Sequence, residues 1–344
     1  MPLKFYTDFN EKNQLYEPDD KYPDYKISTI EKFNEWYEEI YKCNTTRNDG
    51  SDTERTYGYF FRGMTEAKYK LYNSSQREWV INNMDTWKAG FNYLQFIKNM
   101  IDEAKKKPLF KRMLSYYQIN PENESDFPIL SILQHYGAPT PLMDWTYNLD
   151  VALYFATENI NVMSASDSID GYFSIYMIRK DENESLRNIF ETSSPYFPSL
   201  DRFLDEKFMM SSPRYFACYI SDFESNTHDR VDSVQSNVPA KEALKAHRPI
   251  TTYYNQNIIP QEGLFIFNPS PNIPLEEIFS NRMQIIPSSR ISSLCPFYCY
   301  NIKKDLADYI RRKINKNNIN NSFIYPELRS FLQQVKENVF NNCL

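Results

Sequence analysis

The triplet Phe61-Arg62-Gly63 follows directly on an aromatic run that begins at Tyr57. An arginine there can grip a carboxylate or a phosphate through two parallel N–H···O bonds, a fork that lysine does not offer. Buried without a partner it would be very costly, so Arg62 needs either an ion pair with Asp144 or a bound anion. A second constellation runs from Gln134 and His135 through Gly137 to Asp144, Trp145 and Thr146. His135 could serve as a general base if it titrates beside Asp144 in an open cleft. Its structural reading is the end of a helix, two residues before Gly137, where a positive charge complements the dipole. Trp145 reads as a core side chain or as a stacking surface for a flat ring. Thr146 or Asn148 can cap the next helix, with Asp150 suited to its first turn. In a third segment, Gln261-Glu262-Gly263, the glycine implies close backbone approach. Glu262 is then an ordinary exposed acid, or a catalytic carboxylate if it faces Arg62.

These residues need elements to hold them. Ile30, Phe33, Trp36, Tyr37, Ile40 and Tyr41 recur at helical spacing after the capping-box pair Ser28 and Glu31. Tyr57 to Phe61 predicts a strand, followed by helices over 84–106, 126–136 and 149–160 and a strand over Tyr172 to Ile178. The apolar stretch before Asp144 reads as a turn. Residues 1–26 show little periodicity and are expected to form an irregular arm. The 180–250 stretch is mixed, with helix expected around 200–224 and an exposed loop around 225–240. Short strands are expected at Gly263 to Phe267 and Met283 to Ile286, and helices over 302–315 and 326–340. Strands interleaved unevenly with helices argue for an α+β fold, with a small mixed or antiparallel sheet and surrounding helices. The seven glycines are too dispersed for a phosphate-cradling loop, which excludes Rossmann and P-loop readings.

Composition narrows the partners. A net charge of -6 argues against a general nucleic-acid binder. The basic runs Lys105-Lys106-Lys107 and Arg311-Arg312-Lys313 read as solvated helix ends. Three histidines and five scattered cysteines give no metal-ligand spacing, so no metal is expected. No stretch approaches the ~20 apolar residues that span a bilayer, and the first residues lack a signal-peptide pattern. No membrane association and a cytoplasmic location are the expectation.

Three segments resemble the FRG-domain family. They are Phe61-Arg62-Gly63 with the later Leu71, Ser74, Ser75 and Arg77; Gln134 through Thr146, running into Val151 to Ala156; and Gln261 to Phe265, with Tyr325-Pro326-Glu327-Leu328 near the end. Asn73 stands where the family usually has proline, and Asn257 where it commonly has a basic residue. The resemblance covers about residues 27–340, which implies one FRG-type α+β domain over 27–344 with a poorly matching insertion at about 180–250. It also implies a bacterial setting of defence against phage. The order of the motifs is similar to that of arginine-specific ADP-ribosyltransferases. That resemblance implies NAD as cofactor, Arg62 on its phosphates, Thr146 supporting the nicotinamide ribose, Trp145 packing on the ring and Glu262 stabilising the cationic sugar. In that register Gly263 takes the catalytic glutamate's place. Two other readings stand beside it. One is a hydrolase or nuclease using His135 and Asp144. The other is a non-catalytic sensor that takes a small anionic ligand, a nucleotide or a phage protein partner, with Arg62, Gly63, Gln134, Trp145, Thr146 and Gln261 as contacts.

Overall fold

The computed structural model describes residues 2–16, 22, 25–43, 59–87, 91–116, 127–160, 166–179, 220–221, 257, 260–268, 270–277 and 297–326. Among the described residues seven strands form one sheet: β1 (Lys26–Ile27), β2 (Tyr59–Met64), β3 (Leu142–Thr146), β4 (Tyr172–Arg179), β5 (Ile220–Ser221), β6 (Gly263–Phe267) and β7 (Phe297–Lys303). Their order is β1-β7-β4-β2-β3-β6-β5. Of these pairs β1–β7 is parallel and the other five are antiparallel, so the fold is α+β with a mixed, mainly antiparallel sheet. The centre is continuous: β4 pairs with β2 over six residues and with β7 over seven. Between β2 and β3 the ladder shrinks to one pair, Phe61 with Thr146.

Helices cover both faces, as strands buried on both sides require. On β3 and β6, Leu142 and Phe265 join one cluster with Trp79, Ile97 and Ile129 from α3 (Ser74–Ile81), α4 (Tyr93–Lys106) and α6 (Phe127–His135). Met143, Trp145 and Ile266 alternate to the larger cluster. That cluster packs α2 (Ile30–Cys43), α7 (Leu149–Thr157) and α8 (Ala307–Lys316) on the sheet. Each fully buried aliphatic or aromatic side chain there contributes about 1.5–3 kcal/mol of transfer free energy. Asn73 serves its own helix, capping α3 in a capping box with Gln76. Asn148 caps α7, accepting from the amides of Asp150 and Val151.

Several expectations are corrected. The arm over 1–26 is not irregular throughout: α1 (Phe9–Asn13) is capped by Asp8, and Tyr6, Phe9, Lys12 and Tyr16 are buried. The helix expected over 84–106 is broken into a 3-10 turn at Met84–Thr86 and α4, which Asn92 caps. The apolar stretch ending at Thr146 is strand β3 and not a turn, because β6 hydrogen-bonds along all five of its residues. Strand β7 and helix α5 (Pro108–Tyr116) have no counterpart among the elements expected from sequence. Within 200–224 the two described residues form strand β5 against β6 and not helix. The expectations for 225–240 and 283–286, and that for 326–340 beyond its first residue, lie outside the described residues. Among the described residues no helix is long and apolar enough to cross a membrane.

Candidate functional site

A cavity of about 730 Å³ opens where β2 and β3 part, within the usual size of small-ligand pockets. β2 contributes Arg62 and Gly63, β3 contributes Asp144 to Thr146, and α7 contributes Val151, Ala152 and Phe155. Gly63 allows the helix this close. A side chain there would run into the Ala152 carbonyl oxygen and sit 2.7 Å from the Ala156 amide nitrogen.

Arg62 spans the gap between the strands. Its Nη1 donates to the main-chain carbonyl of Asp144, and its Nε is enclosed without a hydrogen-bond partner. The expected Arg62–Asp144 ion pair is therefore not what holds the arginine; the contact is to the peptide oxygen. The Asp144 carboxylate is turned outward and exposed, and it accepts from Gln134 Nε2 at 2.8 Å. Gln134 is itself fixed, since its Oε1 accepts from the Thr140 hydroxyl. Gln134 thus aims the carboxylate. Burial lowers the pKa of Arg62, Asp144 opposes that shift, and the nearby Arg77 adds to it. Arg77 is also lowered by burial and is held by Asp144's charge; its Nη1 donates to the Tyr72 carbonyl at 2.8 Å. Two guanidinium groups and one carboxylate therefore share the cavity wall. Such a grouping favours an anion that can replace the water lost by both arginines.

His135 lines the same cavity, against the edge of Tyr136 at 5.0 Å. Partial burial moves its pKa below the ordinary histidine value, so the imidazole is neutral at pH 7. An NMR titration of the full chain is expected to place its midpoint below 6.5. A midpoint above that value would mean a carboxylate acts on it.

The remaining predicted residues divide. Trp145 borders the cavity but is only 3% exposed, and its ring tilts against Phe297 at 6.2 Å. The hydroxyl of Thr146 donates to the Gln261 carbonyl at 2.6 Å and accepts from the Asn148 amide at 2.9 Å. Gln261 directs its side-chain amide to the Ile324 carbonyl at 2.9 Å. Both border the cavity, with the Thr146 hydroxyl and the Gln261 side-chain nitrogen already engaged. Glu262 is not among the lining residues. It sits in the left-handed region, φ 46°, with its carbonyl accepting from the Tyr147 amide at 3.0 Å and Oε1 from Asn148 Nδ2 at 3.2 Å. The turn that serves Tyr147 and Asn148 holds this carboxylate against Asn148, outside the lining of Arg62's cavity.

Other lining residues do not stand out in the sequence: Lys70, Tyr69 and Tyr72 from the loop after β2, and Leu3, Lys4 and Phe5 of the N-terminal arm. The arm is held there by the Phe5–Tyr69 bridge and by the Tyr6 amide donating to the Lys68 carbonyl at 2.9 Å. Arg77 carries a signal, being part of the motif that follows Gly63.

The family model for the FRG domain matches residues 57–164. That span contains Arg62, Arg77 and all of Gln134 to Thr146, but neither the arm nor Gln261 to Gly263. No curated protein and no solved structure matches the chain.

Proposed function

Because residues 57–164 make this chain an FRG-domain protein, we propose a function for the cavity those residues largely line: it binds a phosphate-bearing ligand of nucleotide size. The carrying observation is the convergence of Arg62 and Arg77 on one cavity where Asp144 is the nearby acid, with Arg62 Nε enclosed and unsatisfied. Lys4 adds positive charge to the same lining, and Phe155, Tyr69 and Tyr325 offer apolar surface for a ring. NAD is the first nucleotide to test. The strands bearing the Arg62, Thr146 and Gly263 motifs are neighbours in the sheet, β2-β3-β6, which suits a ligand crossing all three. Binding is favoured over NAD cleavage because Glu262 is engaged by Asn148 outside the lining. In this reading the protein senses a ligand, in defence against phage, by being occupied.

A second reading is a hydrolase in which neutral His135 acts as base toward a water and the Asp144 carboxylate, aimed by Gln134, orients it.

Isothermal titration of the full chain with NAD, ATP and inorganic pyrophosphate tests the binding reading. Arg62→Ala and Arg77→Ala are each expected to weaken binding by roughly ten- to a hundred-fold, as loss of a charge-assisted contact worth about 1.5–3 kcal/mol requires. Wild-type protein that binds none of the three would sink it. Release of nicotinamide by the wild type, abolished in Glu262→Ala, would replace it with the transferase reading. Turnover of ligand abolished by His135→Ala would favour the hydrolase.

A further inference from the structure

The basic run on α8 has a setting that a merely solvated helix end does not explain. A groove of about 740 Å³ lies between α2 and α8, apart from the first cavity and sharing no lining residue with it. Lys313 is committed within it: its Nζ is 3.7 Å from the Glu38 carboxylate and 4.4 Å from the centre of the Tyr37 ring. Arg312 and Lys316 are not. They are four residues apart on one helix face, where like charges repel, and among the described residues no acid pairs with either. Arg312 Nε reaches only the Asp308 carbonyl of its own helix, at 3.3 Å. The dipole of α8 accounts for a cation in the last turn at Lys316; it does not account for Arg312 one turn earlier.

Beside these cations stands a flat aromatic surface. Tyr41 is 44% exposed, and it stacks one face on Tyr37, with ring centres 5.6 Å apart and planes 19° off parallel. The floor is tied by hydrogen bonds, and the one acid in the groove's lining, Glu38, lies against Lys313. The Tyr37 hydroxyl donates to Asp150 Oδ1 at 2.9 Å and Asn317 Nδ2 donates to Oδ2 at 2.8 Å, so the buried Asp150 is bonded from both sides. Burial raises its pKa, against the hydrogen bonds from Asn317 and Tyr37 and the charge of Lys313, which favour the carboxylate. A pair of uncompensated cations next to an open ring face is the complement of a phosphate chain joined to a base.

We propose that this groove is a second binding site, for a nucleoside polyphosphate, with the phosphates on Arg312 and Lys316 and the base on the open face of Tyr41. It does not depend on the reading of the first cavity. The test is hydrogen exchange on the full chain with and without ATP, supported by titration calorimetry. ATP is expected to slow exchange in residues 36–43 and 309–317, and to do so equally in Arg62→Ala, which alters only the first cavity. The double variant Arg312→Glu/Lys316→Glu, two surface changes whose folding is checked by circular dichroism, is expected to lose that protection and weaken the site at least ten-fold. Tyr41→Ala is expected to weaken ATP several-fold while leaving pyrophosphate unchanged. Absence of protection in the wild type, or its persistence after the double charge reversal, overturns the site. Pyrophosphate that slows exchange in residues 36–43 and 309–317 as strongly as ATP overturns its assignment to nucleotides.

Discussion

Replacing Gly63 by alanine is expected to destabilise the protein by about 3 kcal/mol or more, at the upper end of what overpacking does. The added methyl would meet the Ala152 carbonyl oxygen, the Ala156 amide nitrogen at 2.7 Å and the Ala156 methyl at 2.8 Å. Two of those three are main-chain atoms of α7, which cannot rotate aside as a side chain could. The helix must therefore shift as a body from a strand whose neighbour Phe61 is wholly buried. Because Val151, Ala152 and Phe155 of that helix line the cavity, ligand affinity should fall along with stability. Urea unfolding curves measure the first effect, and calorimetry at a temperature where the variant is folded measures the second. Gly137→Ala is the internal reference. Its φ of +83° strains any other residue, but a methyl there meets nothing within 4 Å, so a loss of about 1 kcal/mol is expected. Equal losses at the two positions would mean that the close approach of α7 to β2 is not what Gly63 serves.

The second large effect concerns Lys12, which is completely buried. Its Nζ donates to the Ala67 carbonyl at 2.7 Å, the Ser174 hydroxyl at 2.7 Å and Asn301 Oδ1 at 2.9 Å, and lies 5.0 Å from the centre of the Tyr176 ring. It pins α1 to the sheet, since Ser174 and Asn301 are cross-strand partners on β4 and β7. Lys12→Ala removes three acceptors' donor and opens a void. An expected loss of about 3–5 kcal/mol follows from large-to-small truncation plus unsatisfied buried oxygens. Lys12→Met keeps the volume and should lose less. Burial lowers the lysine's pKa below its ordinary value, against the opposing charges of Cys299 and Glu276. The sign for stability follows from that direction. Between the lowered folded value and 10.5 the unfolded chain holds one more proton than the folded one, so Lys12's contribution rises with pH in that window and is flat below it. The difference in stability between wild type and Lys12→Met should therefore change in the wild type's favour as pH is raised through that window. The buried Tyr6, Tyr16 and Tyr176 titrate above their usual value and are present in both proteins. A difference that stays constant would mean Lys12 is not desolvated.

The part of the site legible in the sequence is the part made by local runs. Arg62-Gly63 and Gln134 to Thr146 can be grouped because short motifs hold them together, and the cavity receives both. Lys4 and Phe5 cannot, because their place depends on an arm whose anchor is a buried lysine. Hydropathy patterns assign lysine to the surface, so a segment pinned by Lys12 reads as loose. Asp144's partner is hidden for a related reason. Spacing shows that Arg62 and Asp144 can meet, but not whether the guanidinium meets the carboxylate or the peptide oxygen. For Glu262 the deciding variable is a backbone angle, φ 46°, which turns the side chain to Asn148 and leaves no periodic trace. In β7, polar Asn301 and Cys299 interrupt an aromatic run, and their burial is explained only once Lys12 is in place.

The sheet order carries a consequence for how this chain can be made and cut. β7 is drawn from the end of the described chain yet lies inside the sheet, between β1 near the start and β4, pairing Lys26 with Asn301. The interior of the sheet is thus closed by two segments separated by most of the chain. Such long loops must be ordered before their contacts contribute, which slows folding. The segment matched as the FRG domain contains β2 and β3 but not β4, β6 or β7. Expressed alone, it would present strand edges that the full chain covers, and open edges template aggregation. A piece that holds every strand of this sheet extends beyond that segment on both sides, from β1 through β7.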